Sequence, residues 1–128
     1  MYMTIAADLD DPYTFNVITH HTMTQDRGDI ATHVHGPLLQ LPSDPHVGLW
    51  VNRAGFAAKL NANPLGQIVW EHHGGPARTG VADWKDELVG NLVICGPTLV
   101  DGTIGGLTPS QIRYIQHVID GTEEARHV

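Results

Sequence analysis

Nine histidines, against seven lysines and arginines together, are the side chains with most chemistry to offer in this 128-residue chain. His33 and His35 are separated by one residue, and Glu71 and His73 repeat that spacing. Along an extended strand side chains alternate, so i and i+2 leave the same face. Each pair would then aim two ligand-type groups at one region, while His46 opens a further extended run. Imidazole and carboxylate groups suit Zn, Fe, Mn or Ni. The spacing therefore predicts a single divalent-metal site drawn from His33, His35, His46, Glu71 and His73.

The same residues also support metal-free chemistry. Histidine titrates near working pH, and Asp44 or Glu71 could orient an imidazole as an acid or base. Trp50 and Trp70 would then wall a pocket for a small apolar or aromatic substrate, or else pack in the core. His33-x-His35 after Gly28 resembles the opening of the cupin metal motif. No glutamate follows a few residues later, where that motif has one, and the chain is not assigned to the family. Cys95 ends the apolar run Leu92-Val93-Ile94, where a buried small side chain outweighs a nucleophile. Adjacent histidines in a strand point to opposite faces, so His20-His21 and His72-His73 would each give a site one member at most. His117 is expected to face solvent. The glycine-rich loop over 74–80 contains Arg78 but lacks both the P-loop ending and the dinucleotide spacing.

Charge and composition remove several function classes. The net charge is −7 with histidine neutral, and lysine and arginine form no cluster. Binding to nucleic acid or to an anionic membrane needs a basic footprint, so neither is expected. A single cysteine permits no intrachain disulfide and no thiolate zinc cluster. The first residues lack the basic and apolar regions of a secretion signal, and no apolar run approaches a membrane span. The expected location is the cytoplasm or a virion.

Positioning the histidines falls to strands. Residues 13–23, 30–35, 38–41, 46–52, 56–61, 67–73 and 92–95 read as strands from apolar alternation or continuous apolar character. The run over 46–52 is expected to pair with 56–61 through a tight connection. A small hairpin over 98–104 would turn at Asp101-Gly102. Two helices are expected, a short one at 82–89 and a C-terminal one at 109–120. The second has Thr108 as N-cap, Pro109 at N1 and Gln111 at N3, which is a capping box. Ile112, Ile115, Val118 and Ile119 form its apolar stripe, with Gly121 available as the residue after its end. Residues 1–12 read as a loose arm and 122–128 as a frayed tail. The sum is one β-rich α+β domain of antiparallel strands.

Short strands, a loose N-terminal arm, a long mobile loop and low charge content suit a subunit that contacts copies of itself. The expected function is a structural or assembly subunit acting as a homo-oligomer, with a capsid, decoration or tail component as a concrete form. The alternative is a small metal-dependent or histidine acid–base enzyme of lyase, isomerase or dioxygenase type. It would use the His33/His35 face on a small organic substrate.

Overall fold

The computed structural model describes residues 1–6, 16–20, 27–54, 63–74 and 88–126. Its centre is a five-stranded antiparallel sheet in the order β2-β1-β5-β4-β3. The strands are β1 (Tyr2–Ala6), β2 (Asn16–His20), β3 (Leu38–Leu41), β4 (Gly48–Asn52) and β5 (Leu92–Cys95). Helix α1 (Arg27–Val34) covers one face, while α2 (Pro64–Glu71) and α3 (Pro109–Arg126) cover the other. The protein is α+β, as the sequence implies.

Burial on both faces explains the composition of the inner strands. In β5, Leu92 and Ile94 join Met3, Ile5, Leu49 and Val51 beneath α2 and α3. Val93 and Cys95 point the other way, toward Ile30 and Val34 of α1. A strand covered twice reads as an unbroken apolar run instead of an alternating one. Registers are fixed accordingly: Leu49 lies opposite Ile94 and Trp50 opposite Val93. On the far side of β5, Met3 pairs with Ile94 and Ile5 with Leu92.

Several sequence expectations are corrected. Residues 1–12 do not all form an arm, because Tyr2–Ala6 is an inner strand between β2 and β5. Met3 and Ile5 bury on one face and Tyr2 on the other, which makes this stretch too apolar to remain loose. The expected strand over 30–35 is instead α1. Ile30 and Val34, four residues apart, are both fully buried against the sheet, a spacing that belongs to a helix. The expected strand over 67–73 is α2 and its C-terminal turn. Asn63 caps it, its side chain accepting from the Gly66 N–H, and Pro64 occupies the first turn.

The end of α1 and the start of α3 have identifiable causes. The Gly36 N–H donates to the Ala31 carbonyl at 3.2 Å while His35 sits at φ 63°, a Schellman arrangement with histidine at the left-handed position. A Cβ at Gly36 would collide with the Asn52 amide, so the chain needs glycine there. The capping box of α3 forms as expected: the Thr108 N–H donates to Gln111 Oε1, and the Gln111 N–H to Thr108 Oγ1. Gly121 does not end this helix. It keeps a helical backbone, and the helix runs on to Arg126 through the expected tail.

Other expectations hold or fall outside the described residues. Strands β3, β4 and β5 form where read, and 16–20 lies within the expected 13–23. Strand β4 pairs with β3 and β5 among the described residues, while 55–62, holding the expected partner, lies outside them. Residues 75–80 of the glycine-rich loop and 82–87 of the expected short helix are also outside. The 98–104 hairpin forms around a Thr98–Ile104 bridge. No helix of the described residues is long and apolar enough to cross a membrane.

Candidate functional site

The C-terminal end of α2 delivers two histidines to the surface of the α3 layer. The His72 N–H donates to the Ile68 carbonyl at 3.1 Å and that of His73 to Trp70 at 2.9 Å, so the last turn is closed. Gly74 follows at φ 81°, and a Cβ there would press on the Asp44 carboxylate. The Asp44 N–H donates to the His73 carbonyl at 2.8 Å, which docks the β3–β4 loop on this turn. From the opposite side, Gln111 Nε2 donates to the His46 carbonyl at 2.9 Å and ties that loop to the start of α3.

These three segments surround a hollow of about 360 Å³ lined in part by Asp44, His46, His72, His73, Ser110 and Tyr114. His73 is only 7% exposed, whereas His46 and His72 are exposed. Its Nδ1 lies 2.8 Å from the Val69 carbonyl. A carbonyl only accepts, so Nδ1 carries the hydrogen and Nε2 of the neutral ring is left with its lone pair. The Tyr114 ring packs edge-on against His73, centroids 5.5 Å apart. Its hydroxyl stands 3.5 Å from His72 Nδ1, at the outer limit of a hydrogen bond. A second hollow of about 460 Å³ shares Asp44 and is bounded by Arg27, Gln40 and Pro97.

The structure brings together only part of the predicted histidine set. His46 and His73 both line the 360 Å³ hollow, whereas Glu71 is exposed on α2 and outside its lining. His33 belongs to the other side of the sheet, where Nε2 meets the Tyr2 hydroxyl at 2.8 Å. His35 is exposed in the turn after α1. The shared strand face expected for His33 and His35 is absent because His33 lies in the last turn of α1, whereas His35 has left the helix with φ 63°. Among the described residues, no group of three or more His, Cys, Asp or Glu is placed to hold a metal ion.

The tryptophans separate as well. Trp70 is buried under α3 and donates through Nε1 to the Pro42 carbonyl at 2.8 Å. Trp50 is buried on the α1 face with the Arg27 guanidinium 5.7 Å above its ring, and its Nε1 has no acceptor. Neither lines the histidine hollow, so the expectation of a pocket walled by both gives way to core packing. Cys95 is buried on the α1 face.

His72, Ser110 and Tyr114 are the site residues that the spacing argument passed over. Two signals locate them. Asn63-Pro64 is a cap followed by a first-turn proline, the same device as Thr108-Pro109. Reading α2 from it places His72-His73 together at a helix end, not on opposite strand faces. On α3, Ser110 and Tyr114 are four residues apart and share a face.

No protein-family model, curated protein or solved structure matches the chain.

Proposed function

We propose that the protein is an assembly or interaction subunit whose partner is a second copy of the same chain. The observation that carries this reading is the tip of the 98–104 hairpin, where Leu99 is half exposed and Val100 wholly so. Isolated surface apolar residues are ordinary. Two neighbouring ones on a turn held in one conformation are better suited to contact.

That turn is tightly specified. The Leu99 N–H donates to the Thr103 carbonyl at 2.7 Å and the Gly102 N–H to Leu99 at 2.9 Å. Asp101 Oδ1 accepts from the Thr103 N–H and hydroxyl at 3.0 and 2.6 Å. At the base, the Gly96 N–H donates to Gly105 and the Gly105 N–H to Pro97. A Cβ at Gly96 would overlap the Gly106 carbonyl, so the hairpin lies against the end of β5 closer than a side chain allows. A turn ordered beforehand loses little conformational entropy on docking, which favours association. A capsid, decoration or tail subunit is one form such a protein would take.

Size-exclusion chromatography with light scattering across a wide dilution series tests the proposal. Wild type is expected to self-associate, and Leu99→Asp with Val100→Asp to be monomeric with an unchanged circular-dichroism spectrum. A wild type that stays monomeric throughout rejects it. The second reading, histidine acid–base chemistry on a small organic substrate, moves from the His33/His35 face to the hollow. The fixed tautomer of His73 is the observation that favours it.

A further inference from the structure

The histidine hollow contains two kinds of polar group, and their arrangement restricts what would fit. Acceptors come from Asp44 and from His73 Nε2. His73 is more than nine-tenths buried, yet Nε2 is not sealed: among the described residues Trp50 Nε1 is the buried side-chain donor or acceptor lacking both partner and solvent. With Nδ1 committed to Val69, Nε2 is the ring nitrogen of His73 left for a ligand in the hollow that this residue lines.

Donors come from the start of α3. Ser110 Oγ accepts from Arg113 Nη2 at 3.2 Å, which leaves the hydroxyl hydrogen for another acceptor. The Ser110 N–H belongs to the first turn, where a helix provides no internal acceptor. The helix dipole and the Arg113 guanidinium make this end favourable for negative charge. Gln111 is partly committed: Oε1 receives the Thr108 N–H and Nε2 gives one of its two hydrogens to the His46 carbonyl. Between the two groups, Val47 and the Tyr114 ring give the hollow an apolar wall.

A bare anion would gain at Ser110 but meet the Asp44 carboxylate. A ligand with hydroxyl groups opposite its anionic end turns that repulsion into a hydrogen bond. We propose that the hollow binds a small hydroxylated organic phosphate of the sugar-phosphate class, its phosphate at Ser110 and its hydroxyls on His73 Nε2 and Asp44. The carbon skeleton would lie against Tyr114. A volume of about 360 Å³ is at the small end of ligand pockets and suits a ligand of that size. This site is independent of the hairpin tip, so failure of one reading leaves the other standing.

The experiment is a titration of the full chain followed by histidine ring resonances in 1H–13C NMR spectra. Inorganic phosphate, ribose and ribose 5-phosphate are added separately at constant ionic strength. Ribose 5-phosphate is expected to shift the rings of His72 and His73 saturably and to bind at least roughly tenfold tighter than either fragment. His73→Asn retains a donor for Val69 while removing Nε2, and Ser110→Ala removes the donor hydroxyl. Each should weaken ribose 5-phosphate by roughly tenfold, with His35→Gln as an unaffected control. If His73→Asn loses its fold, Ser110→Ala at the exposed helix start carries the test. Absence of saturable shifts overturns the proposal. So does ribose 5-phosphate binding no tighter than inorganic phosphate, or binding unchanged in Ser110→Ala.

Discussion

The Tyr2 hydroxyl and His33 Nε2 are 2.8 Å apart and join the inner strand β1 to the helix that covers it. Burial, reinforced by Asp29 and Cys95, raises the Tyr2 phenol above its ordinary value of 10.0. The hydroxyl therefore keeps its proton at neutral pH, and the tautomer of His33 sets which of the two groups donates. A raised folded pKa contributes stability that is complete below pH 10.0 and is lost as pH climbs through the higher folded value. Tyr2→Phe should cost about 1 kcal/mol in urea denaturation at neutral pH. It should also remove part of the fall in Tm expected of wild type above pH 10.0.

Asn63 is expected to be among the least replaceable polar residues. Its Nδ2 donates to the carbonyls of Ile5 and Gly90, both at 2.9 Å, while Oδ1 accepts from Gly66 at 3.0 Å. One side chain, only 2% exposed, thus joins β1, the approach to β5 and the start of α2. Asn63→Ala would leave two buried carbonyls and one amide unpaired, for a loss of about 3 kcal/mol or more. At ordinary N-caps Asp and Asn interchange. Here Asn63→Asp should fail too, because its carboxylate would face two carbonyl oxygens. Urea denaturation of both variants checks the comparison.

His35→Gly should stabilise the protein. A φ of 63° costs a residue with a Cβ roughly 1 kcal/mol, and glycine adopts it freely. The His35 side chain is exposed, so nothing buried is lost. A higher Cm at unchanged m is the expected result, reduced somewhat by the extra freedom that glycine gives the unfolded chain.

The hairpin tip should respond to acid. The Thr103 hydroxyl, and then its N–H, hold the Asp101 carboxyl below the ordinary 3.8. A lowered folded value means that the contribution is present above pH 3.8 and disappears as pH falls through the folded pKa. The Thr103 amide resonance should titrate with a midpoint below 3.8, and Asp101→Asn should abolish that titration. If the tip makes the subunit contact, association should weaken over the same interval.

The elements legible in the sequence were those with a local signature. Thr108, Pro109 and Gln111 specify the start of α3 by themselves, and Leu92 to Cys95 could only be an inner strand or a short buried helix segment. Helices α1 and α2 were hidden because Thr32, Val34, Ile68, Val69 and Trp70 favour extended chain. In the folded protein packing on the sheet outweighs that preference, and Ile30 with Val34, or Leu65 with Val69, show the helical interval. The same error set the candidate site. A strand made His33 and His35 neighbours and put His72 and His73 apart. As built, the first pair divides between a helix and its terminal turn, while the second closes α2 and faces Tyr114. The convergence of loop, α2 and α3 on one hollow depends on contacts such as Gln111 with His46, separated by 65 residues, which no local pattern encodes.

The pairing of β1 with β5 also governs when the protein can become itself during synthesis. Met3 meets Ile94, so the middle of the sheet is zipped between segments about ninety positions apart. Until the ribosome has released the second of these, Met3 and Ile5 have no strand to lie against on that side. Nascent chains would have to wait with an apolar, unsatisfied strand, which is the condition that recruits chaperones and invites misassembly. Closing so long a loop is slow, and refolding of this small protein should accordingly be governed by topology more than by its helices.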